Sequence, residues 1–280
     1  MQFIHWYPGH IAKAERKLKE QLNLVDVVVE VVDARIPRSS MYPDVKKLIG
    51  EKPRLILFNK SDAADIEETK IIAEKIKNEE KCPVILTSST DNKDINKIVN
   101  KIADLSKPAI TKLIQKGLLP RPVRAMVIGM PNVGKSSIIN KLIKKNKTKT
   151  GAKAGVTRQQ QWVRINPRVD LLDVPGIIPV KQVNQEVALK LAFVDSIGEN
   201  AYELEGIAVE FLKLMLIKYP KIIIERYLQA EVEEITLESI AKAKNLLGQN
   251  ASPDTIRAAA MLMNDFRDGR LGRLTLDEEE

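Results

Sequence analysis

The chain has 280 residues, 44% of them hydrophobic and 29% charged, the balance of a globular protein long enough for two domains and not of a disordered one. No apolar run approaches the roughly 20 residues needed to span a bilayer, the opening Met1-Gln2-Phe3-Ile4-His5-Trp6 lacks the pattern of a secretory leader, and no lipidation cysteine stands at the end, so a cytoplasmic monomer without membrane attachment is expected. The formal net charge of +8 is uneven: residues 1–180 hold 33 Lys and Arg against 19 Asp and Glu, residues 181–280 hold 12 against 18, and residues 135–169 hold ten basic residues and no acidic one.

In chain order, residues 10–22 place Ile11, Ala14, Leu18 and Leu22 on one helical face, with Lys13, Arg16 and Lys17 opposite. Residues 24–32 and 54–58 are short and rich in branched apolar side chains, the mark of buried parallel strands. A helix over 65–78 leads to a strand over 83–87, with the single cysteine, Cys82, expected to pack at its entrance. A helix over 92–105 follows, then a connection over Lys107–Pro122 marked by Pro108, Gly117, Pro120 and Pro122. A strand over 123–128, a helix over 136–144 and a strand over 169–173 complete this part. Strands alternating with helices predict an α/β fold with a parallel sheet. Beyond residue 181 only helical patterns remain, over 185–195, 203–218, 236–246 and 254–267. The expectation is therefore an α/β domain over 1–180 and an all-α domain over 181–280.

Gly129-Met130-Pro131-Asn132-Val133-Gly134-Lys135-Ser136 fits G-x-x-x-x-G-K-[ST] in full, with a strand before it and a helix from Ser137 onward. Its glycines let backbone N–H groups surround a phosphate at a helix N-terminus. Asn132, Val133, Gly134, Lys135, Ser136 and Ser137 are the expected phosphate contacts, Lys135 reaching the β- and γ-phosphates and the Ser136 hydroxyl ligating Mg²⁺. Asp173-Val174-Pro175-Gly176 lies 37 residues after Ser136. There Asp173 can hold the metal through water, and the Gly176 amide can meet the γ-phosphate. Thr157 stands between these motifs and can complete the metal shell while the γ-phosphate is present, although Thr148 and Thr150 compete with it.

Asn59-Lys60-Ser61-Asp62 ends the 54–58 strand. A carboxylate at Asp62 can accept from both N1–H and the 2-amino group of guanine, donors that adenine lacks, so the site would reject ATP. Asn59 is expected at the opposite base edge and the Lys60 stem over its face. The bland alternative is a polar strand-to-helix turn capped by Ser61 or Asp62. Thr87 and Ser88, with Ser89, end the next strand and can stand beside the base.

The order Asn-Lys-x-Asp, Thr-Ser-Ser, phosphate loop, Thr157, Asp-Val-Pro-Gly resembles that of a circularly permuted GTPase. With Trp6-Tyr7-Pro8-Gly9-His10 near the start and Asp265-Phe266-Arg267-Asp268-Gly269-Arg270 near the end, the chain resembles the bacterial ribosome biogenesis GTPase A (YlqF) family, related to mitochondrial ribosome GTPases, over essentially its whole length. The resemblance implies GTP as substrate and a permuted G-domain followed by a helical RNA-binding domain. It also implies action on a late large-subunit precursor, through rRNA and ribosomal proteins. Ile177 occupies the place where many GTPases carry a water-orienting glutamine. The resemblance points instead to His10 as the catalytic residue, with an RNA-touching or solvated histidine as the alternative reading, and to slow hydrolysis stimulated by a ribosomal partner. It also makes Asn132 a potassium ligand. A second reading of the whole is a GTP-regulated RNA-binding scaffold whose hydrolysis is incidental. A signalling or membrane-traffic GTPase is disfavoured by the basic 135–169 stretch. The acidic balance of 181–280 leaves RNA contacts there to a local patch such as Arg267, Arg270 and Arg273, or to the basic 135–169 stretch instead.

Overall fold

Six strands form one sheet: β1 (Val27–Asp33), β2 (Arg54–Asn59), β3 (Val84–Leu86), β4 (Val123–Ile128), β5 (Trp162–Asn166) and β6 (Val169–Leu172). Their order across the sheet is β3-β2-β1-β4-β6-β5. All neighbours are parallel except β5 and β6, which form an antiparallel edge. The computed structural model describes residue 4 and residues 18–88, 94–147, 162–172, 184–228 and 234–278.

Period-two alternation splits the central strand between two layers. Val27, Val29 and Val31 of β1 join Leu55 and Leu57 of β2 in one cluster with Ile95, Ile98, Val99 and Ile102. On the other face, Val28 meets Leu18, Leu22, Tyr42 and Val45, while Val32 meets Ile56, Phe58, Ile72 and Ile76. The helices that supply these layers are α1 (Val45–Ile49), α2 (Ile66–Glu80), α3 (Ile95–Gln115) and α4 (Lys135–Lys147). Burial on both faces explains why β1 and β2 read as continuous apolar runs.

The register decides where the chemistry goes. Asp33 pairs with Asn59 across β1 and β2, and Glu30 pairs with Ile128 across β1 and β4. The C-terminal ends of β1, β2 and β4 therefore lie side by side, where ligands bind open α/β sheets. Beyond residue 184 the described elements are α5 (Gln185–Phe193), α6 (Leu204–Lys218), α7 (Pro220–Tyr227), α8 (Leu237–Ala243), α9 (Thr255–Arg267) and two short 3₁₀ turns. Phe193, Phe211 and Phe266 stack edge-on and tilted at 5.2 and 4.7 Å between centroids, and tie α5, α6 and α9 together. Their cluster is continuous with the β1–β2 face of the sheet.

Three local expectations change. The 107–122 stretch is not all connection: α3 runs to Gln115 with Pro108 inside it. Proline removes one helix hydrogen bond there, yet the buried face of Ile98, Ile102 and Ser106 holds the helix through it. Strand β5 was absent from the reading because it is an exposed edge, with Arg164 63% exposed at its side chain and only Ile165 fully buried. The first strand starts at Val27 instead of Leu24, since Leu24 and Val25 donate back to Gln21 and Leu22 as a turn. Of the helix expected over 10–22, residues 18–22 are described and helical, with Leu18 and Leu22 buried as the pattern requires. Cys82 packs beside Val84 and Leu86 with its thiol pushed up to about 11 by burial, an inert position.

Candidate functional site

The loop between β4 and α4 turns so tightly that two positions admit no side chain. At Gly129 (φ 148°) a Cβ would stand 2.3 Å from the Val31 carbonyl oxygen, and at Gly134 (φ 94°) one would stand 2.1 Å from Asn59 Nδ2. The loop is thus pressed against the ends of β1 and β2. Lys135 folds back over it, its Nζ donating to Gly129 O at 3.0 Å and to Met130 O. The side chain is buried, its acceptors among the described residues are these two carbonyls, and burial drives its pKa from 10.5 down to about 8. A buried cation held by carbonyls is poised for an anion. Ser136 and Ser137 open α4 with exposed side chains.

The loop that follows β2 leans on the same structure. Asn59 donates from Nδ2 to Val133 O at 2.8 Å, while its buried Oδ1 has no hydrogen-bond partner among the described residues. Lys60 takes a left-handed conformation (φ 61°) and reaches both Asn132 O and Asp33 Oδ2 at 2.8 Å. Ser61 N donates to Thr87 O at 3.2 Å, which seats the end of β3 beside this loop. Lys141 of α4 donates to Ser88 O at 2.5 Å. Asp62 stands exposed on the rim, within electrostatic reach of Arg35. Residues 59–62, 87–88 and 129–137 therefore meet at the C-terminal ends of β2, β3 and β4. His10, Thr157, Asp173 and Gly176 lie outside the described residues.

Sequence reasoning missed the layer beneath. Asp33 ends β1 fully buried and forms an ion pair with Arg35, Nε to Oδ1 at 2.9 Å and Nη2 to Oδ2 at 2.8 Å. Burial alone would raise the Asp33 carboxyl, but the charge and hydrogen bonds of Arg35, followed by Lys60, hold it well below the carboxylate range. Arg35 also lies 4.9 Å over the Phe266 ring and donates to the Phe266 and Arg267 carbonyls at 3.4 Å. The available signal was an acidic residue closing an apolar strand.

The C-terminal segment docks on these loops too. Leu274 N donates to Ala63 O, Leu276 N to Arg35 O, and Asp277 accepts from Ser39 N and Oγ at 2.9 and 2.6 Å. At the other side of the site, Asn132 Nδ2 donates to Asp195 O and Oδ2 at 2.7 and 3.1 Å, and Ser196 Oγ donates to Pro131 O at 2.7 Å. The arginines expected as an RNA patch are partly spent inside the fold: Arg267 donates to Phe193 O, Ala192 O and Tyr202 Oη, and Arg270 pairs with Asp265 and Asp268. Burial would raise the Asp265 carboxyl, but hydrogen bonds accepted from Arg226, Tyr227 and Arg270 hold it below its ordinary value.

Comparison with known proteins extends this picture to the whole chain. A family model described as 50S ribosome-binding GTPase matches residues 124–238, and one described as ferrous iron transport protein B matches residues 12–102. Ribosome biogenesis GTPase A of Bacillus cereus is 38% identical over 99% of this chain and 94% of its own. The Thermotoga maritima protein of the same name is 33% identical over 99% and 95%. Mitochondrial ribosome-associated GTPase 1 of Mus musculus is 31% identical over 98% and 90%. Among solved structures, GNP-bound YlqF from T. maritima superposes with a TM-score of 0.70 at 28% identity, over 96% of this chain and 99% of that one. A GDP-bound YlqF gives 0.69 over 94% and 99%. Full-length similarity at 38% identity leads to one conclusion: this GTPase belongs to the ribosome biogenesis GTPase A family.

Proposed function

We propose that the protein is a GTP-hydrolysing assembly factor of late large-subunit maturation that binds rRNA in a nucleotide-dependent way. The observation that carries this reading is the match of residues 124–238 to a 50S ribosome-binding GTPase model, since that span runs from β4 through the phosphate loop into the helices. The ten basic residues in 135–169 support it, because clustered Lys and Arg favour a polyanion through counterion release. In this reading residues 1–180 bind and cleave the nucleotide and residues 181–280 meet the ribosome.

The residues present fit GTP. Lys135 offers a buried cation to the β- and γ-phosphates, and a side chain at Gly129 or Gly134 would clash with Val31 O or Asn59 Nδ2. Asp62 stands exposed at the rim, where it would take the two guanine donors, and the Thr87 end of β3 is tied to its neighbour Ser61. Among the described residues no group of three or more His, Cys, Asp and Glu side chains forms a metal cage. In this reading a Mg²⁺ ion would be held by the Ser136 hydroxyl and by phosphate oxygens, with Thr157 and Asp173 as its further protein contacts. Bound there, the ion would offset charge developing on the transferred phosphoryl group. Asn132 gives its amide nitrogen to Asp195, so Oδ1 is the atom it keeps for a potassium ion. His10 is assigned the orientation of the attacking water.

GTP turnover measured with and without large ribosomal subunits tests the reading. Stimulation by the subunit, and subunit binding that differs between a GTP analogue and GDP, is the expected result. Equal turnover together with nucleotide-independent binding would overturn it. His10→Ala separates enzyme from scaffold: binding with arrested assembly supports the enzyme, and normal assembly supports the scaffold.

A further inference from the structure

Among the described residues, eight other than glycine have positive φ. Three of them form one hydrogen-bonded series. Lys60 (φ 61°) donates from Nζ to Asn132 O, and Asn132 (φ 55°) donates from Nδ2 to Asp195 (φ 61°). The series runs from the base-reading loop through the phosphate loop into the helical part. Backbone held in the left-handed region persists where the surroundings over-determine it, and such positions cluster at functional sites.

Asp195 is the member that no motif explains. It follows α5, where Asp195 N donates to Ala192 O at 3.1 Å and Ser196 N to Leu191 O at 2.8 Å. This is the helix ending at which glycine is the usual residue, because glycine adopts positive φ without a Cβ penalty. An aspartate here accepts a backbone cost that glycine would avoid. What it gains is a carboxylate oxygen 3.1 Å from Asn132 Nδ2, beside its own carbonyl oxygen at 2.7 Å. Two acceptors on one amide nitrogen fix the plane of that amide and turn Oδ1 away from the helix end. Ser196 adds a second tie, its hydroxyl donating to Pro131 O.

We propose that Asp195 is a positioning residue for GTP hydrolysis: its carboxylate orients Asn132 and fixes the crown of the phosphate loop against the helical part. The assignment requires only that the chain hydrolyses GTP and is independent of any ribosomal partner.

Asp195→Gly and Asp195→Asn on the full chain test it. Glycine relieves the backbone and removes the carboxylate, so stability and catalysis should move in opposite directions. The expected D195G protein melts about 2–4 °C higher, while kcat falls about tenfold and KM stays within about threefold. Asparagine tolerates positive φ and keeps an accepting oxygen, so D195N should turn over within about twofold of the parent. An unchanged kcat in D195G, a slower D195G that also melts lower, or a D195N as slow as D195G would each overturn the assignment.

Discussion

Asn59 donates its side-chain amide to the main-chain oxygen of Val133 over 2.8 Å, so the end of β2 holds the phosphate loop directly. The residue that opens the base motif is therefore also a brace for the phosphate motif. Asn59→Ala leaves a carbonyl at a buried residue unpaired, a loss of about 1–3 kcal/mol. The expected outcome is weaker binding of GTP and GDP alike, by about tenfold, in a fluorescent-nucleotide titration. Asn59→Asp should be worse, because it sets an acceptor against an acceptor. An alanine variant with parental affinity for both nucleotides would show that the brace is idle.

The two glycines of the loop should fail differently. An alanine Cβ at Gly134 meets the end of the Asn59 side chain, whereas one at Gly129 meets the backbone oxygen of Val31 in the central strand. Both variants are expected to lose nucleotide binding, since each also forces an L-residue to positive φ. Gly129→Ala should cost more stability, because a central strand cannot yield as a side chain can. Thermal melting of the two variants checks the order, and a lower melting point for Gly134→Ala would contradict it.

These contacts also show what sequence could and could not reveal. The parallel strands and the nucleotide motifs were legible because each is a local pattern: apolar runs for β1 and β2, glycine spacing for the loop, Asn59 to Asp62 at a strand end. The brace between Asn59 and Val133 spans 74 residues, and no local pattern encodes a partner at that distance. The same holds for Asp195 on Asn132 and for Leu276 on Arg35. Strand β5 escaped because an exposed edge needs only one buried residue, and α3 outran its forecast because packing outweighed Pro108.

Asp33 and Arg35 form a buried pair whose members also serve the site, Asp33 through Lys60 and Arg35 through the Phe266 and Arg267 carbonyls. Removing one partner of a buried pair typically costs about 3–5 kcal/mol, because the other charge stays behind. Arg35→Met should therefore unfold at much lower denaturant concentration than the parent. Adding Asp33→Asn to it should recover part of the loss, since the buried carboxylate then left to Lys60 is gone. A double variant less stable than Arg35→Met alone would mean that the charge of Asp33 is not what destabilises it.

Lys135 makes the apo protein sensitive to alkaline pH, and the sign follows from burial. Its pKa falls from 10.5 to about 8 in the folded chain. Below pH 8 the ammonium is charged in both states, and the folded state carries a penalty on the order of 3 kcal/mol. Between pH 8 and 10.5 the folded state releases the proton while the unfolded state keeps it, so this contribution to stability rises with pH. Lys135→Met removes the penalty outright. The variant should melt higher than the parent at pH 7, and the parent should close part of that gap between pH 8 and 10. Nucleotide reverses the balance, since phosphate charge favours the ammonium. Binding to the parent should therefore take up a proton above pH 8 and weaken as pH rises, while Lys135→Met should bind no nucleotide at any pH. Melting curves of parent and variant at pH 7, 8, 9 and 10 measure the difference, and a gap that stays constant across that range would place the alkaline sensitivity elsewhere.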